Sequence, residues 1–286
     1  MEEKKLNIKN FTNVEDIYCI GDIHGNFNSL KGFIKQNDIH DSLIIICGDC
    51  GFGFESINHY RQTVFPDLIK VLEKYHNNLV FVRGNHDDAT IFNSGMFDYE
   101  RLKVVPDYTI LNVYYDEDQN VVKHSILCVG GAISIDRTYR MEIENQEVIK
   151  KMSFSHCSEE EAYRKIRRVY WNNEAPVFDS EMLDMIDKNK CPIDIVCSHT
   201  APSFCHPQTK EGIEYWLNRD DKLSENLDNE RKVFDQVYSY LKNRGFELSK
   251  WCYGHFHKHN IEYIDGVKFC LLDMDRYGKL DYEYTE

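Results

Sequence analysis

The sequence predicts an α/β fold built in layers, on three observations. A short, β-branched, apolar run that ends in Gly or a polar cluster recurs along the chain, the pattern of a buried strand. Segments of helical period lie between several of these runs. The 286 residues are 42 % hydrophobic and 29 % charged, the composition of a globular chain long enough to bury a sizeable core without staples. Strands that alternate with helices build layered α/β folds.

The runs come in order at DIYCIGDIHG (16–25), SLIIICGDCG (42–51), LVFVRGNHD (79–87), SILCVGGA (125–132), IDIVCSHTAP (193–202) and WCYGHFH (251–257). VKFCLLDMD (267–275) is expected to close the set. Among the helical segments, 60–76 places Val64, Leu68, Val71, Leu72 and Tyr75 on one face, with Pro66 near its start. Ser158 and Glu161 have the spacing of a capping box that opens a helix through about Val169. Residues 224–244 carry Leu227, Phe234, Val237, Tyr238 and Leu241, and Gly245 stands where that helix stops. The stretch 203–223 is polar and irregular, either a loop near the site or a lid. Length allows one or two domains, and no repeat, low-complexity tract or linker-like segment divides the chain.

The formal net charge is −14. An acidic surface repels nucleic-acid backbones, whose binding depends on Lys and Arg, so the charge argues against a broad nucleic-acid groove and leaves an enzyme acting on nucleic-acid ends or strands as a third reading. A phosphate substrate is not, because bound metal ions invert the field at one site. The N-terminus MEEKKLNIKN has no apolar core of a signal peptide, and no apolar run approaches a membrane span. Several of the ten cysteines sit inside apolar stretches (IYCIGD, IIICGD, ILCVGG, IVCSHT). There they read as small buried hydrophobes of a reducing, cytoplasmic compartment. Cys47 and Cys50 form a C-x-x-C, but no second pair follows to complete a structural zinc site, and a redox role is the lesser reading.

Ligands of open α/β sheets bind beyond the carboxyl ends of the strands. The polar residues found there are Asp22 and His24; Asp49; Asn85, His86 and Asp87; His199; and His255 and His257. Each group has an ordinary reading by itself: a turn at G-D-I-H-G, a helix cap at G-N-H-D, a surface histidine at His199. Jointly they place five of the twelve histidines at strand ends, and clusters of this kind mark functional sites. Carboxylate, imidazole and amide oxygen together suit Mn, Fe or Zn, and a set without thiolate is not a closed structural zinc site. About seven ligands are too many for one tetrahedral ion and suit two ions that share a carboxylate.

The ordered set D-x-H, G-D, G-N-H-D, H and G-H-x-H, spread over residues 22 to 257, resembles the calcineurin-like metallophosphoesterase superfamily. The resemblance implies a four-layer αββα sandwich of two mixed β-sheets flanked by helices, with two divalent metal ions where the strand ends meet. It implies a single domain over 1–286, with inserted, pocket-shaping segments near 95–123, 137–176 and 203–223. Carried over by position, one ion is held by Asp22, His24, Asp49 and His257, and the second by Asp49, Asn85, His199 and His255, with Asp49 as the bridge. His86 faces the substrate and protonates the leaving oxygen, while a hydroxide shared by the ions attacks. The implied activity is hydrolysis of a phosphate monoester or diester in a phosphorylated small molecule, a nucleotide or a phosphoprotein. The rival reading is a scaffold, since some members of this fold, such as a retromer subunit, have lost metal ligands and bind proteins instead.

One departure stands out. The protein Ser/Thr phosphatases of the superfamily carry Asp-Arg-Gly after the G-D, where this chain reads GDCGFGF (48–54). The carboxylate that orients the catalytic histidine and a phosphate-binding arginine are missing from that place. A second, weaker resemblance joins GGAISIDRTYR (130–140) and YWNNEAP (170–176) to bacterial and phage metallophosphoesterases of uncertain substrate. Arg137 and Arg140 are therefore candidates to bind phosphate, and His206, seven residues past His199, is a candidate substrate-side group. Trp171 and Glu174 read as packing and capping, and Arg83 as an internal salt bridge or a site residue. His40, His59, His76, His124, His156 and His259 read as ordinary.

Overall fold

A computed structural model describes residues 4–115, 121–274 and 277–279. Residue 275, the end of the expected closing strand, and residues 116–120 of the 95–123 segment lie outside the described residues, as do the first three of the polar N-terminus.

Two mixed sheets form. Numbered in chain order, the smaller runs β12 (Tyr277–Lys279), β2 (Asp16–Ile20), β3 (Ser42–Cys47), β4 (Asn78–Val82), β5 (Leu102–Val104). The larger runs β1 (Ile8–Phe11), β6 (Thr109–Tyr114), β7 (Val122–Val129), β8 (Ile195–Ser198), β9 (Lys250–Tyr253), β11 (Val267–Leu271), β10 (Asn260–Ile264). The centre of each sheet is parallel: β2 to β5 in one, and β7, β8, β9 and β11 in the other. Parallel centres put the carboxyl ends of β2, β3, β4, β8 and β9 on one edge of the sandwich.

The alternation of side chains along a strand sorts the core into three apolar layers. On β3 and β4, Ile44, Ile46, Leu79 and Phe81 face α1 (Phe27–Gln36) and α3 (Phe65–Lys74), where Leu30, Ile34, Leu68 and Leu72 wait. Their neighbours Leu43, Ile45, Cys47, Val80 and Val82 face the other sheet and meet Ile126, Cys128, Ile195, Cys197 and Cys252. Beyond that sheet, Val196, Trp251 and Tyr253 pack on Leu183 of α7 (Ser180–Asp184) and on Phe234, Val237 and Leu241 of α9 (Leu223–Asn243). The result is the expected αββα order. Shorter helices are α2 (Ile57–His59), α4 (Ala89–Asn93), α6 (Glu159–Tyr163) and α8 (Ile213–Leu217), and the long α5 spans Arg137–Ser155.

The expected helix over 60–76 begins as a π-helical turn, Tyr60–Val64, that passes into α3 with Pro in its first turn. The capping box at Ser158 and Glu161 is present in both halves. The helix it opens is shorter than expected, ending at Tyr163 rather than near Val169. The buried Glu144 of α5 is the reason: it accepts the N–H groups of Val169 and Tyr170 at 2.6 and 2.8 Å and pairs with Arg168, so this segment satisfies its donors across the fold. α9 stops before Gly245, which takes φ +76°. The 95–123 segment supplies β5 and β6, and 137–176 carries α5 and α6.

Candidate metal centre

The five loops beyond β2, β3, β4, β8 and β9 hold one another through their backbones. The N–H of His24 donates to the Asp49 carbonyl at 2.8 Å, and that of Gly254 to the His199 carbonyl at 3.0 Å. The N–H of His86 donates to Asp49 Oδ1 at 2.8 Å and that of His255 to Asp22 Oδ1 at 2.9 Å. The buried carboxylate of Asp87 accepts four N–H groups, from Cys50, Gly51, Phe52 and Gly84, at 2.8–3.0 Å, fastening the loop after β3 to the loop after β4. These bonds hold strained backbone: His24, Asp49, His255 and His257 take φ of +44°, +46°, +70° and +50°. Non-glycine residues visit this region at a cost of about 1–3 kcal/mol each, and such strain gathers at functional sites. Two glycines permit the close approach. A Cβ on Gly48 would lie 2.1 Å from His199 Nδ1, and one on Gly254 would lie 2.2 Å from Asp22 Oδ1.

The side chains form two groups that touch. In the first, His257 Nε2 is 3.0 Å from Asp22 Oδ2 and 3.2 Å from His24 Nε2. In the second, Asn85 Oδ1 lies 2.9 Å from His199 Nε2 and 3.0 Å from His255 Nδ1, and Asp49 Oδ1 is 3.3 Å from His199 Nε2. Asp49 Oδ2 stands 3.9 Å from His24 Nδ1, which puts Asp49 between the groups. Asp22 also reaches both, with Oδ1 at 3.9 Å from His199 Nδ1. All seven expected ligands are thus brought together, while His259 is exposed outside the cluster.

Electrostatics show what the cluster lacks. Burial alone would raise the Asp49 carboxyl, but His199, His86 and His24 outweigh it and hold Asp49 well below the usual range. Burial alone would lower His199, but Asp49 and Asp22 raise it to about 9. His199 Nδ1 lies 2.9 Å from the Cys47 carbonyl, to which it donates, so Nε2 is turned to the centre. Burial, then the charges of Lys210 and His199, push His255 well down. Asp22 Oδ2 is buried and accepts no hydrogen bond, and two imidazole Nε2 atoms face each other beside it. Oxygen and imidazole lone pairs that converge in this way fit divalent ions of the Mn, Fe or Zn kind.

Around this centre lies a supporting set that the sequence did not disclose. Asn85 Nδ2 donates to Ser134 Oγ at 2.8 Å, and Ser134 Oγ donates to Glu174 Oε2 at 2.6 Å. Glu174 is therefore a positioning residue for Asn85, beyond the local capping expected of it; burial raises its carboxyl to about 8. Arg83 is an internal clamp: it pairs with Asp107 at 2.8 Å and donates to the Glu174 carbonyl at 2.8 Å. Trp171 packs against Phe54, with ring centres 6.3 Å apart.

His86 lies at the same edge, with Nε2 3.3 Å from Asn85 Nδ2 and 3.9 Å from Asp49 Oδ2. Its Nδ1 is buried without a hydrogen bond among the described residues, and burial pushes its pKa down to about 4. The three substrate-side candidates are placed differently. Arg137 is engaged by Asp220, at 2.6 and 3.1 Å. Arg140 pairs with Asp136 at 2.7 Å, and its charge is felt at His86. His206 is exposed, and its backbone is held by Glu262 and Tyr253.

A family model described as calcineurin-like phosphoesterase matches residues 16–259. The chain belongs to that family. Metal-dependent hydrolysis of phosphate esters, in general terms, is supported by this membership and by the gathered Asp and His side chains. Among solved structures, the chain is similar to a dimetal phosphatase from Danio rerio (13 % identity, TM-score 0.44, covering 92 % of this chain and 88 % of that one). It is also similar to a phosphopantetheinyl hydrolase from Mycobacterium tuberculosis (12 %, 0.41, 95 % and 97 %). A third similar structure is GAP50, the anchor in the inner membrane complex of Plasmodium (14 %, 0.43, 91 % and 71 %). Likeness this low carries no argument about substrate. Comparison with curated proteins finds no match. Among the described residues no helix is long and apolar enough to cross a membrane.

Proposed function

We propose that the protein hydrolyses phosphate monoesters or diesters at two divalent ions, one held by Asp22, His24, Asp49 and His257 and the other by Asp49, Asn85, His199 and His255. The observation that carries the reading is the convergence on a buried, unsatisfied Asp22 Oδ2 of the imidazole nitrogens of His24, from its own loop, and His257, from the loop after β9, with His199 of a third loop beside the other oxygen of the same carboxylate. Divalent ions bound there supply positive charge for the phosphate oxygens and water made acidic enough to attack near neutral pH. The chain's own residues do the rest. The Cys47 carbonyl fixes the ring of His199, and Ser134 with Glu174 fixes Asn85. His86, at the same edge, donates to the leaving oxygen, a contribution of about 10²–10⁴-fold for a well-placed general acid. Burial holds its pKa at about 4, so the negative charge of the bound phosphate is what raises it enough to carry the proton. Both expected arginines are ion-paired, Arg137 with Asp220 and Arg140 with Asp136, and Arg140 is the better supported of the two because its charge is felt at His86. The ten cysteines, all free and mostly buried, support a reducing, cytoplasmic setting.

The test is hydrolysis of p-nitrophenyl phosphate and bis(p-nitrophenyl) phosphate with added Mn, Fe or Zn, with bound metal measured in parallel. Asp49→Ala is expected to abolish turnover, and His86→Ala to lower kcat by about 10²-fold or more with metal content unchanged. A wild-type chain that hydrolyses neither ester and holds well under one ion would be a scaffold. Full turnover in His86→Ala would sink the proton-donor role alone.

A further inference from the structure

Beside His255 the site opens into a cavity of about 300 Å³, walled by the 208–217 segment and the first half of α9. Its size is at the lower end for small-molecule sites. Ile213, Leu217, Leu227 and Phe256 give it an apolar surface, and Lys210 lines it together with the candidate ligand His255. Lys210 is half-buried and makes no hydrogen bond or ion pair among the described residues. This is unusual in its surroundings. Arg83 is engaged by Asp107, Arg137 by Asp220 and Arg140 by Asp136. Arg231, in the same wall, donates to the carbonyls of Pro202, Cys205 and Pro207. In a chain of net charge −14, a half-buried ammonium that makes no direct ion pair beside the candidate metal centre is poised for an anion from outside. Its field reaches His86 and His255, and also the buried Glu230 of the same wall, whose carboxyl accepts the N–H of Ile133. Glu214 and Asp228, exposed in the same wall, repel a second phosphate.

Resting on the phosphohydrolase reading above, we propose that Lys210 takes a non-bridging oxygen of the scissile phosphate and that the apolar cavity takes the alcohol. The preferred substrate class is then a phosphate ester of an apolar-bodied alcohol with a single phosphate. Lys210 would supply the positive charge that the GDCGFGF loop lacks, from a different part of the chain. Nucleotides with several phosphates are selected against by Glu214 and Asp228.

Phosphonates test this without a leaving-group effect, because they cannot be cleaved. Binding of methylphosphonate and of 2-naphthylmethylphosphonate to the metal-loaded protein is measured by calorimetry. The naphthyl compound is expected to bind at least about tenfold more tightly, a typical gain for apolar substituents in such a pocket. Lys210→Ala is expected to weaken both by about tenfold, the scale of a lost charge-assisted contact, and Lys210→Arg to restore most of it. Leu227→Ser, on a half-buried helical position, is expected to narrow only the gap between the two compounds. Equal binding of the two by the wild type, or unchanged binding by Lys210→Ala, overturns the proposal while the phosphohydrolase reading stands if aryl phosphates are still hydrolysed. A wild type that hydrolyses no phosphate ester overturns both.

Discussion

Four strands each carry two metal-competent side chains a short step apart, and the two sets meet opposite fates. β2 bears Cys19 and then Asp22, β3 Cys47 and then Asp49, β8 Cys197 and then His199, and β9 Cys252 and then His255. The thiols of Cys19, Cys47 and Cys197 lie within 4.8 Å of one another, as closely gathered as the triads Asp22, His24, His257 and Asp22, Asp49, His199. Position separates the sets. The thiols point between the sheets and are fully buried among Leu, Ile and Val. Neighbouring thiols, Cys19 first, and burial push the Cys197 thiol well above its ordinary range, so it stays neutral, while hydrogen bonds from Cys19 and Cys197 hold Cys47 below its ordinary value. Two or three residues further on, the chain has left the strand, and the side chains reach an edge where opposite charges face each other and a cavity opens. Nearness of ligand atoms is therefore not enough for a metal centre. A route to solvent and facing carboxylates are what the upper set has and the lower set lacks.

The sharpest way to break this comparison is metal analysis of single variants after dialysis. His255→Ala and His257→Ala are each expected to lower the content from about two ions per chain to about one or fewer, while His259→Ala leaves it unchanged. Equal losses from all three would mean that the histidine-rich loop binds as a whole, without the division between the two ions.

A smaller effect is expected from the supporting layer. Loss of the Glu174 carboxylate in Glu174→Ala is expected to lower metal affinity by about 10–100-fold, as outer partners of metal ligands commonly do. Glu174 also gives a pH signature. Its folded-state pKa, about 8, lies above the ordinary 4.5, so the folded chain prefers the protonated form. That stability is complete below about pH 4.5 and is lost as pH rises through about 8. Glu230, raised by burial to about 7, acts with the same sign. His86, lowered to about 4, acts with the opposite sign and only below its ordinary 6.5. The melting temperature of the metal-free protein should therefore fall between about pH 5 and 8, and Glu174→Gln should flatten that slope. A slope unchanged in the variant would remove Glu174 as its source.

The smallest effect tests the lower set. Cys197→Ser is expected to leave metal content at the wild-type value and to cost about 1–3 kcal/mol in chemical denaturation, the penalty for a hydroxyl in a dry layer. Loss of a bound ion in this variant would show that the thiols are ligands after all.

The pattern of an apolar run followed at once by Gly or by a metal-competent residue is local, and it was legible wherever a buried strand ends in that way. That covers β2, β3, β4, β8 and β9, and with them all seven candidate ligands and His86. Strands that lack the run or its ending were not legible: β10 reads NIEYI and is only partly buried, β6 reads TILNVY and is buried almost throughout but has neither Gly nor a metal-competent residue directly after it, and β1, β5 and β12 were missed as well. The long α5 was hidden because its buried face includes Arg137 and Glu144, and its partners lie elsewhere in the chain. The same Glu144 cut short the helix expected to run to Val169.

What the sequence determined by itself is the set of chemical groups and the end of the sheet at which they stand, because a strand's length and its terminating glycine are properties of a few adjacent residues. The tertiary structure decided which charges are available. Arg137 and Arg140 looked alike as phosphate contacts until the fold paired the first with Asp220, 83 residues away, and the second with its near neighbour Asp136, leaving the charge of Arg140 within reach of His86. Glu174 looked like a cap until Ser134 linked it to Asn85, and Lys210 drew no notice until every neighbouring arginine was found engaged. Pairing between charges depends on distances across the fold, and no local spacing encodes them.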